Sequence, residues 1–249
     1  YVTGEPGRAP VRSGISLGDS LASLYAVIGA LIAVHARDVL GRGEGQVVDV
    51  ALYEAVFNLM ESMVPEFDVA GIVRERTGSS LPGITPSNTY CSGDGSYVAI
   101  GGNSDAIFKR LMKAIGRPEL GEDPRYKTNA DRTEHAEELD ALIEEWVQLH
   151  PTGEILRILD EAAVPVGPIY SVDDIVEDEQ YQAREMLLET EIEGIGPVKM
   201  PGLVPKLSET PGGVEWYCGL LGAHNEEVYG GLLGLSAEEI ERLSEEGVI

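Results

Sequence analysis

Cysteine is scarce. The 249 residues hold two, Cys91 and Cys218, far apart and in no CxxC or Cys/His cluster. That spacing excludes a zinc ribbon and a disulfide framework and fits a reduced, cytoplasmic setting. No histidine sits in a suggestive motif near either thiol, so neither is read as a nucleophile. Positive charge is also short: 18 Lys and Arg stand against 43 Asp and Glu, and the formal net charge is −25. Such a surface repels nucleic acid and anionic membranes, so neither is expected as a partner. The acidity has two readings, adaptation to high cytoplasmic salt or an ordinary acidic enzyme; salt would screen the self-repulsion. No positive region followed by an apolar core opens the chain, so no secretory signal is expected. Residue 1 is Tyr rather than Met, and the chain is expected to begin partway through a longer protein. Repeats and low-complexity tracts are missing too.

Apolar residues make up 43% and charged residues 24% of the chain, the balance of a soluble globular protein large enough for a substantial core. The longest apolar run lies in "SLGDSLASLYAVIGALIAVHARD". Leu17 to Val34 is about membrane-spanning in length, but it contains Asp19 and is followed at once by His35 and Arg37. Its alanines and Gly29 suit close packing, so a buried helix is expected. Asp19, at the mouth of this run, has two readings. Asp is among the best residues for starting a helix. A carboxylate at a helix N-terminus is also held ionised by free N–H groups and the helix dipole, ready for chemistry. Gly18 beside it would let a bulky group approach the backbone.

After the first helix, Gly41, Gly43 and Gly45 mark a C-cap and turn. Val47, Val48 and Val50 predict a short strand. "YEAVFNLMESMV" has helical spacing. The glycine cluster precedes the strand, so it is not a dinucleotide loop. "RERTGSSLPGITPSN" reads as a loop and domain boundary. "TYCSGDGSYVAIGG" predicts a hairpin about Ser92-Gly93-Asp94-Gly95. A helix follows, with Ser104 at its N-cap and Gly116 at its stop. "GRPELGEDPRYKTNADRTEH" is expected to be mostly connector. "AEELDALIEEWVQLH" and "TGEILRILDEAA" predict two amphipathic helices. "VPVGPIYSVDDIVEDEQYQAREML" predicts a strand returning to helix, and "ETEIEGIGPVKMPGLVPKLSETPG" short strands and turns. Ser236 and Glu239 form a capping box for a last helix.

Several of these segments together resemble one family. They are "SLGDSLASLYAVIGALIAVHARDVLGRGEGQVVDVALYEAV", "GITPSNTYCSGDGSYVAIGGNSDAIFKRLMKAIGRPEL", "DPRYKTNADR", "VPVGPIYSVDDIVEDEQYQAREML" and "LLGAHNEEVYGGLLGLSAEEIERLSEEGVI". In this order they resemble the family III CoA-transferases, the group that includes formyl-CoA:oxalate CoA-transferase. The resemblance implies an α/β fold: a Rossmann-like large domain, whose N-terminal part is absent from this chain, and a small α+β domain. Residues 1–64 would be the part of the large domain carrying the nucleophile, 65–165 a linker and the small domain, and 166–249 a return to the large domain. An interlocked homodimer is implied, with no permanent cofactor and a coenzyme A thioester as substrate.

The carboxylate of the "GD" pair is the family's nucleophile, which makes Asp19 the implied catalytic residue. Substrate contact is implied for Gly18 and for a flap, here Gly78-Ser79-Ser80-Leu81-Pro82-Gly83, with Gly78, Ser79, Ser80 and Gly83 as its binding residues. Formyl-CoA transferases resemble one another in having consecutive glycines there. This stretch keeps two and gains a proline, which argues for a succinyl-CoA-type donor and a dicarboxylate acceptor. An ordinary interdomain loop is the plain alternative for the stretch. α-Methylacyl-CoA racemases are a rival reading, with Asp19 as acid/base, although "LGDS" resembles the transferases. A non-catalytic partner subunit is another. His35, His135, His150 and His224 are read as surface or packing residues.

Overall fold

The computed structural model describes residues 1–192, 194–217 and 219–249; the expectation for Cys218 falls outside them. The chain divides into two compact units, residues 1–169 and 170–249.

The first unit opens with α1 (Leu17–Asp38), packed against α2 (Leu52–Phe57). In α1 only Ala22 is buried, while Leu24, Val27, Ile28, Leu31 and Ile32 are exposed. The expected buried helix is therefore corrected: α2 is too short to cover 22 residues of apolar surface. α1 is long and apolar enough to cross a membrane, with a mean hydropathy of 1.8 over 18 residues. The expected strand at Val47–Val50 is also corrected. Residues 46–51 have no strand assignment, and a β-rich run without a partner cannot form a ladder. The helix expected through residue 64 is split. α2 stops at Phe57, α3 (Met63–Ala70) starts anew, and Glu61 between them has φ +49°.

On α3, Glu66 accepts from Arg74 Nε at 2.7 Å and from the Ser62 hydroxyl at 2.6 Å. The Arg74 guanidinium, then Ser62, hold the Glu66 carboxyl down at about 2. The ordinary value is 4.5. A depressed folded value means that the pair stabilises fully above the unfolded value and is lost as pH falls from about 4.5 through about 2. A carboxyl-carbon NMR titration is expected to place the Glu66 midpoint near 2, rising toward the ordinary value in Arg74→Met. A midpoint unchanged by that substitution overturns the assignment.

The core of the first unit follows from period-2 and period-3.6 patterns meeting. β1 (Ser87–Cys91) and β2 (Tyr97–Gly101) form the expected antiparallel hairpin, with Tyr90 opposite Val98 and Asn88 opposite Ile100. α4 (Asp105–Ala114) is capped by Ser104, whose hydroxyl accepts from Ile107 N–H at 3.2 Å. The expected connector is shorter than it reads: 3₁₀ turns at Pro118–Glu122 and Pro124–Tyr126 lead into α5 (Asn129–Glu134). Local caps drive this, since Thr128 and Asp131 form a capping box. α6 (Ala136–Gln148) and α7 (Thr152–Glu161) are the two expected amphipathic helices. β3 (Val166–Pro168) pairs antiparallel with β2, giving the sheet order β1-β2-β3. Tyr90, Val98 and Ile100 form one cluster with Phe108, Leu111 and Met112 of α4, Leu139, Ile143 and Val147 of α6, and Ile155 and Leu159 of α7. Each such large side chain contributes about 1.5–3 kcal/mol by leaving water.

The hairpin turn is tied to the start of α7. Asp94 accepts from the Ser92 hydroxyl at 2.6 Å, from Thr152 N–H at 2.8 Å and from the Thr152 hydroxyl at 2.9 Å. The Ser92 hydroxyl first, and then Thr152, hold its carboxyl well below the usual range. Gly93 beside it donates to the His150 carbonyl at 2.9 Å. A Cβ at Gly93 would lie 2.7 Å from the Gln148 carbonyl oxygen, too close for backbone to yield. Gly93→Ala is expected to cost about 1–3 kcal/mol, read as a lower urea midpoint; an unchanged midpoint overturns the expectation.

In the second unit, α8 (Val172–Glu177) and α9 (Glu179–Ala183) lead to a hairpin of β4 (Leu187–Ile192) and β5 (Gly196–Pro201). A π-helical turn at Glu226–Leu232 precedes α10 (Ala237–Glu245). The Ser236–Glu239 capping box of α10 is present as expected.

Candidate active site

The N-cap position of α1 is Ser16, with no side-chain cap bond; Leu17, Gly18 and Asp19 form the first turn. The capping alternative for Asp19 is therefore corrected. Asp19 is exposed, and its carboxylate forms no hydrogen bond among the described residues. Only its backbone carbonyl is engaged, accepting from the Ser23 hydroxyl at 2.9 Å. First-turn N–H groups have no intrahelical acceptors and present the positive end of the helix dipole beside this carboxylate. At Gly18 a Cβ would sit in ordinary contact, 3.7 Å from Val56 Cγ2. The backbone there is approachable rather than crowded.

The flap residues form one loop. Gly78 and Gly83 have φ +67° and +76°, the left-handed region that glycine adopts without strain. Thr77, just before the loop, and Ser80 within it exchange side-chain-to-carbonyl hydrogen bonds of 2.7 and 2.8 Å. Gly78 N–H donates to the Gly4 carbonyl at 3.0 Å. At the far end Asn129 donates to the Gly83 carbonyl at 2.6 Å and accepts from Thr85 N–H at 3.1 Å. Gly78, Ser79, Ser80 and Gly83 are thus brought together. Among the described residues no hydrogen bond joins this loop to Gly18 or Asp19.

Ser79 is exposed. It lines a cleft of about 350 Å³ with Ser87, Asn88, Thr89, Gly101 and Gly167 among its other walls. Its hydroxyl donates to Asn88 Oδ1. Asn88 Nδ2 donates to Asp140 Oδ2 at 2.9 Å, and the Tyr90 hydroxyl donates to Asp140 Oδ1 at 2.7 Å. No motif in the sequence marks Asn88, Tyr90 or Asp140. One signal was available: Asn88 shares the core-facing register of Tyr90, and a polar side chain there must find partners.

Two histidines pack within the first unit. His135 Nδ1 lies 2.9 Å from the Asp131 carbonyl, and His150 Nδ1 lies 2.8 Å from that of Trp146. His35 and His224 are exposed.

The chain matches the family described as CoA-transferase family III over residues 1–225. It is 46% identical over its whole length to succinyl-CoA–D-citramalate CoA-transferase of Chloroflexus aurantiacus, spanning 61% of that protein. It is 40% identical over its whole length to the alpha subunit of succinyl-CoA–L-malate CoA-transferase of Chloroflexus aurantiacus, spanning 58% of it. A solved structure of a CAIB/BAIF family protein from Brucella suis superposes with a TM-score of 0.69 at 30% identity, over 84% of this chain and 53% of that one. The chain thus spans about three-fifths of the curated relatives it matches, and its mixed α/β fold is that of the Brucella suis protein. This chain belongs to CoA-transferase family III.

Proposed function

We propose that the protein moves CoA from an acyl-CoA thioester to a free carboxylic acid, with Asp19 as the nucleophile and a dicarboxylate as acceptor. One observation carries the reading: Asp19 commits its exposed carboxylate to no structural bond among the described residues, at the N–H-rich end of a long helix. A carboxylate placed only for stability would be bonded to what it stabilises. The names of the relatives, citramalate and malate CoA-transferases, support a succinyl-CoA donor and a dicarboxylate acceptor.

In this reading an Asp19 oxygen attacks the thioester carbonyl. The C–S bond breaks, the CoA thiolate leaves with the electron pair, and a mixed anhydride remains. The thiolate then attacks the aspartyl carbonyl, which releases the first acid and leaves an aspartyl-CoA thioester. The acceptor carboxylate reverses both steps. Covalent catalysis divides one hard exchange into easier ones, and N–H groups at the start of α1 are suited to stabilising the oxyanions. Gly18 would leave room for the thioester, and the 78–83 loop would contact the acyl portion. The coenzyme A thioester is substrate rather than a resident group, and the reaction runs in the cytoplasm.

Assembly belongs to the same proposal. The exposed apolar face of α1 supports cover by another copy, as in an interlocked homodimer, since patches of that kind mark interfaces. Related chains named alpha and beta subunits, at 40% and 36% identity, favour an alternative of two unlike chains; native mass spectrometry of the co-expressed proteins separates the two.

The deciding experiment is mass spectrometry of the protein incubated with succinyl-CoA and trapped with hydroxylamine or borohydride. A modified Asp19 peptide is expected. An unmodified Asp19 under turnover overturns the nucleophile and returns the residue to acid/base chemistry.

A further inference from the structure

The polar chain behind Ser79 has a fixed direction. A carboxylate accepts hydrogen bonds and does not donate them, so Asp140 compels Asn88 to face it with its NH₂ group. Thr89 N–H, which donates to Asn88 Oδ1 at 2.9 Å, independently demands the same amide orientation. The Tyr90 phenol is buried and donates to the other Asp140 oxygen. Burial first, and then Asp140, raise its ionisation, so it stays a donor. Asn88 can therefore offer Ser79 only an acceptor, and the Ser79 hydroxyl must spend its proton on it. What Ser79 has left for the cleft is oxygen lone pairs.

The cleft has no charged side chain on its walls. Ser79, Ser87, Asn88 and Thr89 supply its polar side chains, and the rest of the wall is apolar or glycine. An acceptor at the mouth of an uncharged cleft recognises a neutral donor. The dicarboxylates in the relatives' names, citramalate and malate, carry such a donor in the hydroxyl beside one carboxylate.

We propose that Ser79 determines specificity by accepting a hydrogen bond from the hydroxyl of a 2-hydroxy acid substrate, with Asn88, Asp140 and Tyr90 as the positioning residues that fix its polarity. This rests on the transferase reading above and narrows its acceptor to hydroxy acids.

The test is carried out on the protein as encoded, with succinyl-CoA as donor and two acceptors of one carbon skeleton, citramalate and 2-methylsuccinate. The second lacks only the hydroxyl. Wild type is expected to favour citramalate. Ser79→Ala is expected to lower kcat/KM for citramalate about tenfold more than for 2-methylsuccinate, the scale of one hydrogen bond. Ser79→Thr keeps the hydroxyl and is expected to retain the preference. Asn88→Ala is expected to reproduce the selective loss, which a merely structural role would spread over both acids. An equal loss on both acids, or no loss, overturns the inference while leaving the transferase intact. Wild type that transfers CoA to neither acid overturns this inference, and one that also leaves Asp19 unmodified by succinyl-CoA overturns the transferase reading with it.

Discussion

Replacing Asp19 by alanine is expected to remove CoA transfer by a factor on the order of 10⁴ or more without unfolding the protein. The two halves of that expectation have separate physical grounds. The catalytic half follows from the proposed chemistry. No bond to the acyl group can form without the attacking oxygen, and among the described residues no other carboxylate is bonded into the first turn of α1 to replace it. The stability half follows from geometry. Asp19 is exposed, its side chain forms no hydrogen bond among the described residues, and the N-cap position belongs to Ser16. Only its favourable interaction with the helix dipole is lost, worth about 0.3–1 kcal/mol at an exposed site. Asp19→Asn keeps the size and removes the charge, and it is expected to be as inactive as the alanine variant. Transfer assays and thermal melts on the same samples check both halves. Activity retained in Asp19→Asn sinks the nucleophile; a large drop in melting temperature shows a structural role that the geometry does not contain.

The second large effect is expected at Arg132. Its side chain is 0% exposed, in a core that is otherwise almost wholly apolar. Its Nε donates to the Thr85 carbonyl and Nη1 to the Tyr126 carbonyl, both at 3.0 Å. Nη2 reaches the Asn103 carbonyl at 2.5 Å and Asp105 Oδ1 at 2.9 Å. The guanidinium lies 4.8 Å from the centre of the Phe108 ring. Arg132→Met keeps the apolar stem and removes every donor, stranding three backbone carbonyls and uncoupling Asp105. The expected loss is about 3–5 kcal/mol, since a buried polar group left without its partner bears most of its desolvation cost. Lysine is expected to rescue little, because an ammonium cannot serve acceptors spread around a planar fork. Urea unfolding followed by the fluorescence of Trp146, which packs against this core, checks the effect. A loss below about 1 kcal/mol would show that water or neighbouring groups satisfy those carbonyls readily.

Elements built on local rules were legible in the sequence. The Ser92–Gly95 turn, the Ser104 cap and the Ser236–Glu239 box each involve residues within a few positions of one another, so pattern and structure agree. Long-range demands were not legible in the same way. Val47, Val48 and Val50 have the composition of a strand, but a strand is a relation between two segments, and the described chain supplies no second one. α1 has the composition of a buried helix, but burial depends on what covers it. Arg132 drew no attention because a lone arginine reads as surface; its partners lie at Thr85, Asn103, Asp105 and Tyr126, and no spacing rule links them. At the candidate site, Asp19 and the 78–83 loop were legible through family resemblance. The Asn88–Asp140–Tyr90 chain was not, because it joins β1 to a helix some 50 residues away.

The anchoring of the 78–83 loop also bears on how such proteins diversify. Asn129 clasps its end at Gly83, and Arg132 bonds the carbonyl of Thr85 just beyond. Those clasps adjoin the core of the first unit, whereas Ser79 and Leu81 are exposed. Substitutions at those two positions therefore cost the core little, and at Ser79 they change what faces the adjoining cleft. Selection can vary the lining of that cleft at Ser79 by single steps, none of which has to cross a valley of unfolded intermediates.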